Sequence, residues 1–489
     1  MERIFSLPRW ACGPVTLCAA IAVTLPAQTL TTSVSFDGAN GANPNAGLVQ
    51  ATNGELYGTA SEGGTGPYCL YDSGCGTVFQ ITPSGTLTTL YSFCSLVNCA
   101  DGERPEAGLV QATNGDLYGT TESGGEYGSG TVFRISPSGI LTTLHNFASV
   151  ANDDDGELPY AGLVQGANGD LYGTNIVGGT GGGGTVFKIT PSGTLTTLYN
   201  FCSAANCADG RSPEAGLVQT PNGDLYGTTV GGGAYNDGTV FKLTPSGVLT
   251  TLHSFCSLAN CDDGIWPYAG LVRANSGLLY GTTLDGGTYG VGTVFQITPS
   301  GTLTTLYSFC SQPDCADGGY PYAGLVQATN GDLYGTTAGD DAYYNGTVFQ
   351  ITPNGILTTL YNFCSLPNCA DGQYPTGGLF QVTNGDLYGT TYFGGANYHG
   401  TVFSLSVGLG PFVEPQTASG KVGSTAKILG TDLKGATIVT FNGTSAEFTV
   451  NQSGSLIEAT VPAGATTGTI QVVTPSGTLS SNVPFRVLR

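Results

Sequence analysis

The sequence predicts an all-β protein: a seven-bladed β-propeller of four-stranded blades, closed by the N-terminal strand, with a small β-sandwich after it. Three observations carry that expectation. One unit is written seven times, and the Gly of its AGLVQ-like start falls at Gly47, Gly108, Gly162, Gly216, Gly270, Gly324 and Gly378, spaced by 54 residues after a first step of 61. Each copy continues through LYGT, a Gly-rich loop and GTVF, and all but the last add a TPSG-like turn and an LTTLYSF-like segment. The fourth segment missing from the last copy stands at the other end of the chain, as Leu30 to Phe36. A linear stack would need no such displaced strand, whereas a ring needs it to avoid a bare edge.

Each piece reads as strand or turn. GLVQ and LYGT are short apolar stretches joined by an Asn-Gly turn such as Asn114-Gly115, a hairpin signal because both residues tolerate positive φ. GTVFQI alternates and is β-branched, TPSG supplies turn residues, and LTTLYSF is rich in Thr and aromatics that fit a pleated surface. The Tyr after each Leu of LYGT is expected between neighbouring blades. No stretch of the repeat reads as a helix. Such a four-stranded sheet cannot bury its faces alone; stacked neighbours can.

The domain reading is a signal peptide over 1–27, the propeller over 28–408 and the sandwich over 411–489. The first segment has Arg3 and Arg9 ahead of an apolar run from Ala11 to Leu25, with Ala27 at a cleavage position. That run is shorter than a spanning helix requires, and no later stretch is apolar enough to span, so the mature chain is expected to be secreted, extracellular or at the cell surface. Residues 28–409 carry 29 acids against 6 bases. A surface of that sign repels phosphate backbones and argues against nucleic acid as a partner.

The cysteines beyond the signal fall into close pairs: Cys69/Cys75, Cys94/Cys99, Cys202/Cys207, Cys256/Cys261, Cys310/Cys315 and Cys364/Cys369. Five pairs occupy one slot, FCSxxNC or a close variant. In the second occurrence of that slot both cysteines disappear together, as Ala148 and Asp153. Joint loss is what a bond between them predicts, and export to an oxidising compartment agrees. Two thiolates per loop with no nearby His do not make a zinc site.

Strand order puts the long loops (fourth to first strand, second to third strand) on one face and the short turns on the other. The long-loop face is therefore the expected working face. It carries Tyr127, Tyr235, Tyr289, Tyr343 and Tyr398, with Trp266 and Tyr268 in DDGIWPYAG, and these are the candidate ligand contacts. Flat aromatics among hydrogen-bonding side chains suit sugar rings or protein partners. Asp153, Asp154 and Asp155, where the cysteine pair is missing, are the weak calcium candidate; no other cofactor is indicated. Catalytic residues are unknown, since His145, His253 and His399 form no nucleophile or metal set. The expectation is a secreted non-enzymatic protein binding a polysaccharide or a surface protein. A glycan-active hydrolase or lyase, and a structural surface protein, are the alternatives.

The last eighty residues read as short strands. On Gly430-Thr431-Asp432-Leu433, Val439-Thr440-Phe441-Asn442-Gly443 and Val461-Pro462-Ala463-Gly464 they resemble the IPT/TIG family of immunoglobulin-like domains. The resemblance implies an immunoglobulin-like sandwich serving as accessory or spacer module; some members bind DNA, which the acidic propeller opposes. The repeats, on LYGTT, GTVFKLTPSG and LTTLYSF, resemble the GloVer tandem repeat of the "choice-of-anchor" group of exported bacterial proteins. That resemblance implies export and repetition, and no activity. Members commonly end in an anchoring segment, whereas here Val483 to Arg489 reads as the last sandwich strand.

Overall fold

The computed structural model describes residues 28–70, 73–150, 153–339 and 345–488. The signal-peptide reading, Tyr343 and Arg489 lie outside them. Within the described residues the repeat forms seven four-stranded antiparallel sheets. The first comprises Val49–Gln50, Leu56–Ala60, Thr77–Ile81 and Leu87–Ser92, and the next five repeat that order from Val110, Val164, Val218, Val272 and Val326. The seventh joins Phe380–Gln381, Leu387–Thr391 and Thr401–Ser406 to Thr29–Ser35, with Val34 opposite Val402 and Leu30 opposite Leu405. Each of these sheets is open; none closes on itself.

Where the sequence suggests alternation, burial is two-sided. Val78, Phe79 and Ile81 of Thr77–Ile81 are all at 1 % exposure or less, because neighbouring sheets cover both faces. The seams repeat. Phe93 meets Phe133 edge-to-face at 5.3 Å, Phe201 meets Phe241 at 5.2 Å, and Phe36 meets Phe79 at 5.2 Å between the seventh sheet and the first. Tyr57 packs with Leu117, Phe133 and Ile135 of the next sheet. Val34, Val382 and Val402 share a core with Leu48, Leu56 and Phe79.

Polar clamps follow the same order. The buried Thr59 hydroxyl donates to Ala107 O at 2.8 Å, Thr228 to Ala269 O at 3.1 Å and Thr390 to Ala46 O at 3.0 Å. On the short-turn side Thr52 N donates to Gln111 Oε1 at 2.8 Å and Thr383 N to Gln50 Oε1 at 3.0 Å. The glycines that open each unit approach one another in sequence order. A Cβ on Gly47 would sit 2.7 Å from Gly378 O, one on Gly108 2.8 Å from Gly47 O, and one on Gly216 3.4 Å from Gly162 O.

The Asn-Gly turns form as expected, but positive φ is confined to one of the two residues. Gly54 N donates to Ala51 O and Ala51 N to Glu55 O, and only the glycine has positive φ, at 89°. This is the wider hairpin in which a turn is followed by a left-handed Gly. Asn53 instead uses its side chain, bonding Tyr57 OH at 2.9 Å and locking the turn to the strand beyond it.

The structure bonds Cys69 to Cys75, Cys94 to Cys99, Cys202 to Cys207, Cys256 to Cys261, Cys310 to Cys315 and Cys364 to Cys369. A second device holds the same loops. Asp317, fully buried, accepts from Tyr307 OH at 2.7 Å, Ser311 N at 2.9 Å, Ser311 Oγ at 3.0 Å and Gln312 N at 3.2 Å. The loop without a disulfide keeps the left-handed backbone at Ala148 and Asp153, and its Asp155 plays the part of Asp317. The repeated Asp-Gly is thus a loop core, and the bridge is an addition to it.

The C-terminal segment is two facing four-stranded sheets plus a parallel pair, Ser419–Lys421 with Arg486–Leu488, around Val413, Ile428, Val439, Phe441, Ile457, Val472 and Phe485. It docks on the short-turn side of the repeats. Ser455 Oγ donates to Thr52 O at 2.8 Å, Thr431 and Thr383 hydroxyls lie 2.7 Å apart, and Asn275 Nδ2 donates to Asn482 O at 3.3 Å. Among the described residues no helix is long and apolar enough to cross a membrane.

Two stability measurements follow from these contacts. Gly47→Ala is expected to cost about 1–3 kcal/mol in urea unfolding because its Cβ has no room, while Gly216→Ala stays near wild type. Asp317→Ala, which removes one buried acceptor of four hydrogen bonds, is expected to cost about 1–3 kcal/mol and to exceed the loss from replacing Cys310 and Cys315 together by Ala.

Candidate binding site on the loop-rich face

Each unit enters its first strand through a constant proline: Pro44, Pro105, Pro159, Pro213, Pro267, Pro321 and Pro375. The ring of each packs over a glycine of the preceding unit, so that a Cβ on Gly238 would lie 2.6 Å from Pro267 Cδ and one on Gly400 2.7 Å from Pro44 Cδ. The residue before each proline is left-handed: Asn43, Arg104, Leu158, Ser212, Trp266, Tyr320 and Tyr374 have φ between 54° and 59°. For non-glycine residues this is strained backbone, held by bonds on both sides. Trp266 N donates to Asp237 O of the preceding unit at 3.0 Å, and Trp266 O accepts from Leu284 N at 3.0 Å. The same frame fixes Asn43 between His399 O and Ser61 N.

On this rigid frame the side chains flanking the proline are free to differ. After it stand Asn45, Glu106, Tyr160, Glu214, Tyr268, Tyr322 and Thr376. They divide into two arcs. One arc is aromatic: Tyr268 lies 5.7 Å from Tyr322, Tyr322 6.1 Å from Tyr374, Tyr374 6.2 Å from Phe393, and Phe393 4.7 Å from Tyr392. Trp266 adjoins Tyr268 through Tyr268 N to Trp266 O at 2.9 Å and is 40 % exposed.

The other arc is acidic. Asn45 Nδ2 donates to Glu106 Oε2 at 3.0 Å and to Tyr160 OH at 2.9 Å, and Arg104 lies 3.3 Å from both Glu106 and Glu122. Burial and then the Glu122 charge push Glu106 up to about 7, against the opposing effects of Asn45 and Arg104. Burial and Glu122 likewise push Glu214 up to about 7. Burial and the Glu106 charge raise Tyr160; burial and the Glu214 charge raise Tyr268. The arcs therefore share one electrostatic neighbourhood.

Of the residues singled out in the sequence, Trp266 and Tyr268 belong to this site. Tyr127, Tyr235, Tyr289 and Tyr398 are more than half exposed in the second-to-third strand loops, and among the described residues none makes a ring contact with Trp266 or Tyr268. Tyr343 is outside the described residues. Asp155 turns inward, with His145 Nε2 at 2.9 Å and Ser149 Oγ at 2.6 Å, and Asp153 and Asp154 join it in no three-carboxylate group among the described residues. The ligand-type groups that do converge, Cys75, Cys94, Cys99 with Glu103 and Cys256, Cys261 with Asp237, are built on disulfide sulfurs. Sequence reasoning missed Arg104, Glu106, Glu122, Tyr160, Glu214, Tyr322 and Tyr374. For all but Glu122, which stands in the loop after Leu117–Thr121, the signal is the variation on either side of a proline that never varies.

The Gloeobacter/Verrucomicrobia repeat model matches residues 19–208, 72–273, 204–403 and 256–447, and the IPT/TIG domain model matches 412–487. No curated protein matches the chain. Among solved structures, a fungal alcohol oxidase of the AA5 family in complex with copper is similar over 94 % of this chain and 99 % of its own, with 13 % identity and a TM-score of 0.51. At that identity the likeness is one of fold. An auxiliary nutrient binding protein from Bacteroides ovatus is similar over 61 % of this chain and 68 % of its own, with 15 % identity and a TM-score of 0.39. With four overlapping matches running from residue 19 to residue 447, the chain belongs to the Gloeobacter/Verrucomicrobia repeat family and ends in an IPT/TIG domain.

Proposed function

We propose that this is an exported binding protein: a seven-bladed propeller closed by Thr29–Ser35, with a polysaccharide received on the loop-rich face between the aromatic and acidic arcs. The supporting observation is the run of aromatics from Tyr268 through Tyr322 and Tyr374 to Phe393, with the exposed Trp266 two residues ahead of Tyr268, set beside carboxylates and amides that can bond hydroxyls. Closure is supported by the contacts of the seventh sheet with the first, which are of the same kinds as those of the other seams. Export is supported by six disulfides and by the N-terminal sequence. The IPT/TIG domain acts as a spacer on the opposite face.

A second reading, a glycan-active hydrolase, draws on Glu106 and Glu214, which burial and the Glu122 charge keep protonated to higher pH than an ordinary carboxyl, as a general acid requires.

Affinity electrophoresis against a panel of soluble polysaccharides tests the first reading. Retardation by at least one polymer is expected, weakened about tenfold in Trp266→Ala without release of reducing ends. Reducing ends that disappear in Glu106→Gln would transfer the assignment to the second reading, and no retardation by any polymer would end the first.

The site also sets a pH dependence. Glu214 titrates near 7 when folded and near the ordinary 4.5 when unfolded, so its contribution to stability is complete below 4.5 and lost as pH rises through 7. Glu214→Gln is expected to raise the thermal midpoint at pH ~8 and to leave it nearly unchanged at pH ~5.

A further inference from the structure

The Gln clamp on the short-turn side is made at six seams and missing at one. Thr52, Thr113, Ala167, Asn275, Thr329 and Thr383 each donate a backbone N–H to the Gln of the next sheet. At the seam between the fourth and fifth sheets the donor position is Pro221, which has no N–H, and the acceptor position is Arg273, which has no acceptor atom. Both halves of the clamp have changed together. The change frees an exposed guanidinium, where every other copy ties down a neutral amide.

That seam borders a cleft of about 660 Å³ between the repeats and the C-terminal domain, lined by Thr220, Asn222, Arg273, Thr298 and, from the last strand of the domain, Arg486. Pro221, Leu278 and Pro299 give it an apolar wall. Asn222 bonds Asp224 as its counterparts bond their own acids, and in addition accepts from the Thr220 hydroxyl. Asp224, on the same turn, is paired with Lys242 at 2.6 Å. Among the described residues neither Arg273 nor Arg486 has an ion-pair partner. In a chain of 34 acids and 13 bases, two guanidinium groups at one cleft with no carboxylate of their own are an electrostatic exception.

We propose that this cleft binds an oxyanion carried on a sugar chain, the carboxylate of an acidic polysaccharide, with Arg273 and Arg486 as its anion ligands. Planar guanidinium groups match carboxylates in two-bond geometry. The cleft is wide and open along its length, as a chain rather than an enclosed molecule requires, and Thr220 and Thr298 along it offer hydroxyls to a sugar ring. The site lies on the opposite side of the repeats from the loop-rich face and is independent of the function proposed for that face.

Titration calorimetry of the full chain with trigalacturonate, with maltotriose and with inorganic phosphate tests it at low and high salt. Trigalacturonate is expected to bind, to bind more weakly as salt rises, and to lose about tenfold or more in Arg273→Gln and in Arg486→Gln. Arg273→Gln restores the residue of the other copies, so the fold tolerates it, and an unchanged thermal midpoint verifies that. Trp266→Ala is expected to leave this binding intact, which separates the cleft from the loop-rich face. Phosphate binding that depends on both arginines without trigalacturonate binding would overturn the sugar-chain assignment. Equal affinity of the double arginine variant for trigalacturonate, equal binding of maltotriose, or no binding of either anion at low salt would overturn the site itself.

Discussion

The fold rests on the seam between one sheet and the next. A single sheet of this repeat buries neither face, and its third strand is apolar on both, so every sheet needs two neighbours. The seam meets that need with a Phe–Phe edge contact, a Tyr from LYGT, a Thr hydroxyl reaching the neighbouring Ala carbonyl, and a proline over a glycine. The close approaches leave no room for a Cβ at Gly47 or Gly238, and the contact of Gly238 with a proline recurs at every seam, which is why that position reads as glycine in copy after copy. The seventh sheet and the first are joined by the same set, through Phe36, Thr390, Pro44 and Gly400.

A scaffold so tightly specified leaves its freedom at a few places. Proline and glycine fix the backbone where each unit begins, and hydrogen bonds to both flanking units hold the strained residue ahead of the proline. Its side chain varies from copy to copy on that fixed backbone, and at Tyr320 it also packs on the core between the fifth and sixth sheets. Position 266 can therefore be Trp where position 212 is Ser and position 104 is Arg, with the same backbone beneath. The chain concentrates chemical variety at the loop-rich face because variation there does not disturb packing. Two arcs result, one aromatic and one acidic, and burial holds the acids of the second only partly ionised near neutrality.

The loops that frame this face owe their shape first to a buried aspartate. Asp101, Asp209, Asp263, Asp317 and Asp371 each gather a Tyr or His from the fourth strand and the backbone of the loop. The disulfide next to them reduces the freedom of the unfolded loop. This ordering explains how the loop at Ala148 keeps its conformation with no bridge, since Asp155 remains.

Much of this was legible in the amino-acid order, because it follows from local pattern and from counting. The period, the four strands per copy, the displaced strand at Leu30 to Phe36, the pairing of cysteines that vanish together, and the strand-rich tail are all properties of a one-dimensional string. The Asn-Gly turn was read as a turn but not as the wider form it takes, in which only the glycine is left-handed and which forms equally where Ser276 replaces the Asn. Tertiary structure alone decided the rest. It turned the Asp-Gly acids inward, gathered residues some 54 positions apart around one site, and set the C-terminal domain on the short-turn side, where Arg486 meets Arg273. The last two outcomes depend on distances between units far apart in the chain, and a repeat tells where its own strands lie before it tells what its neighbours bring beside them.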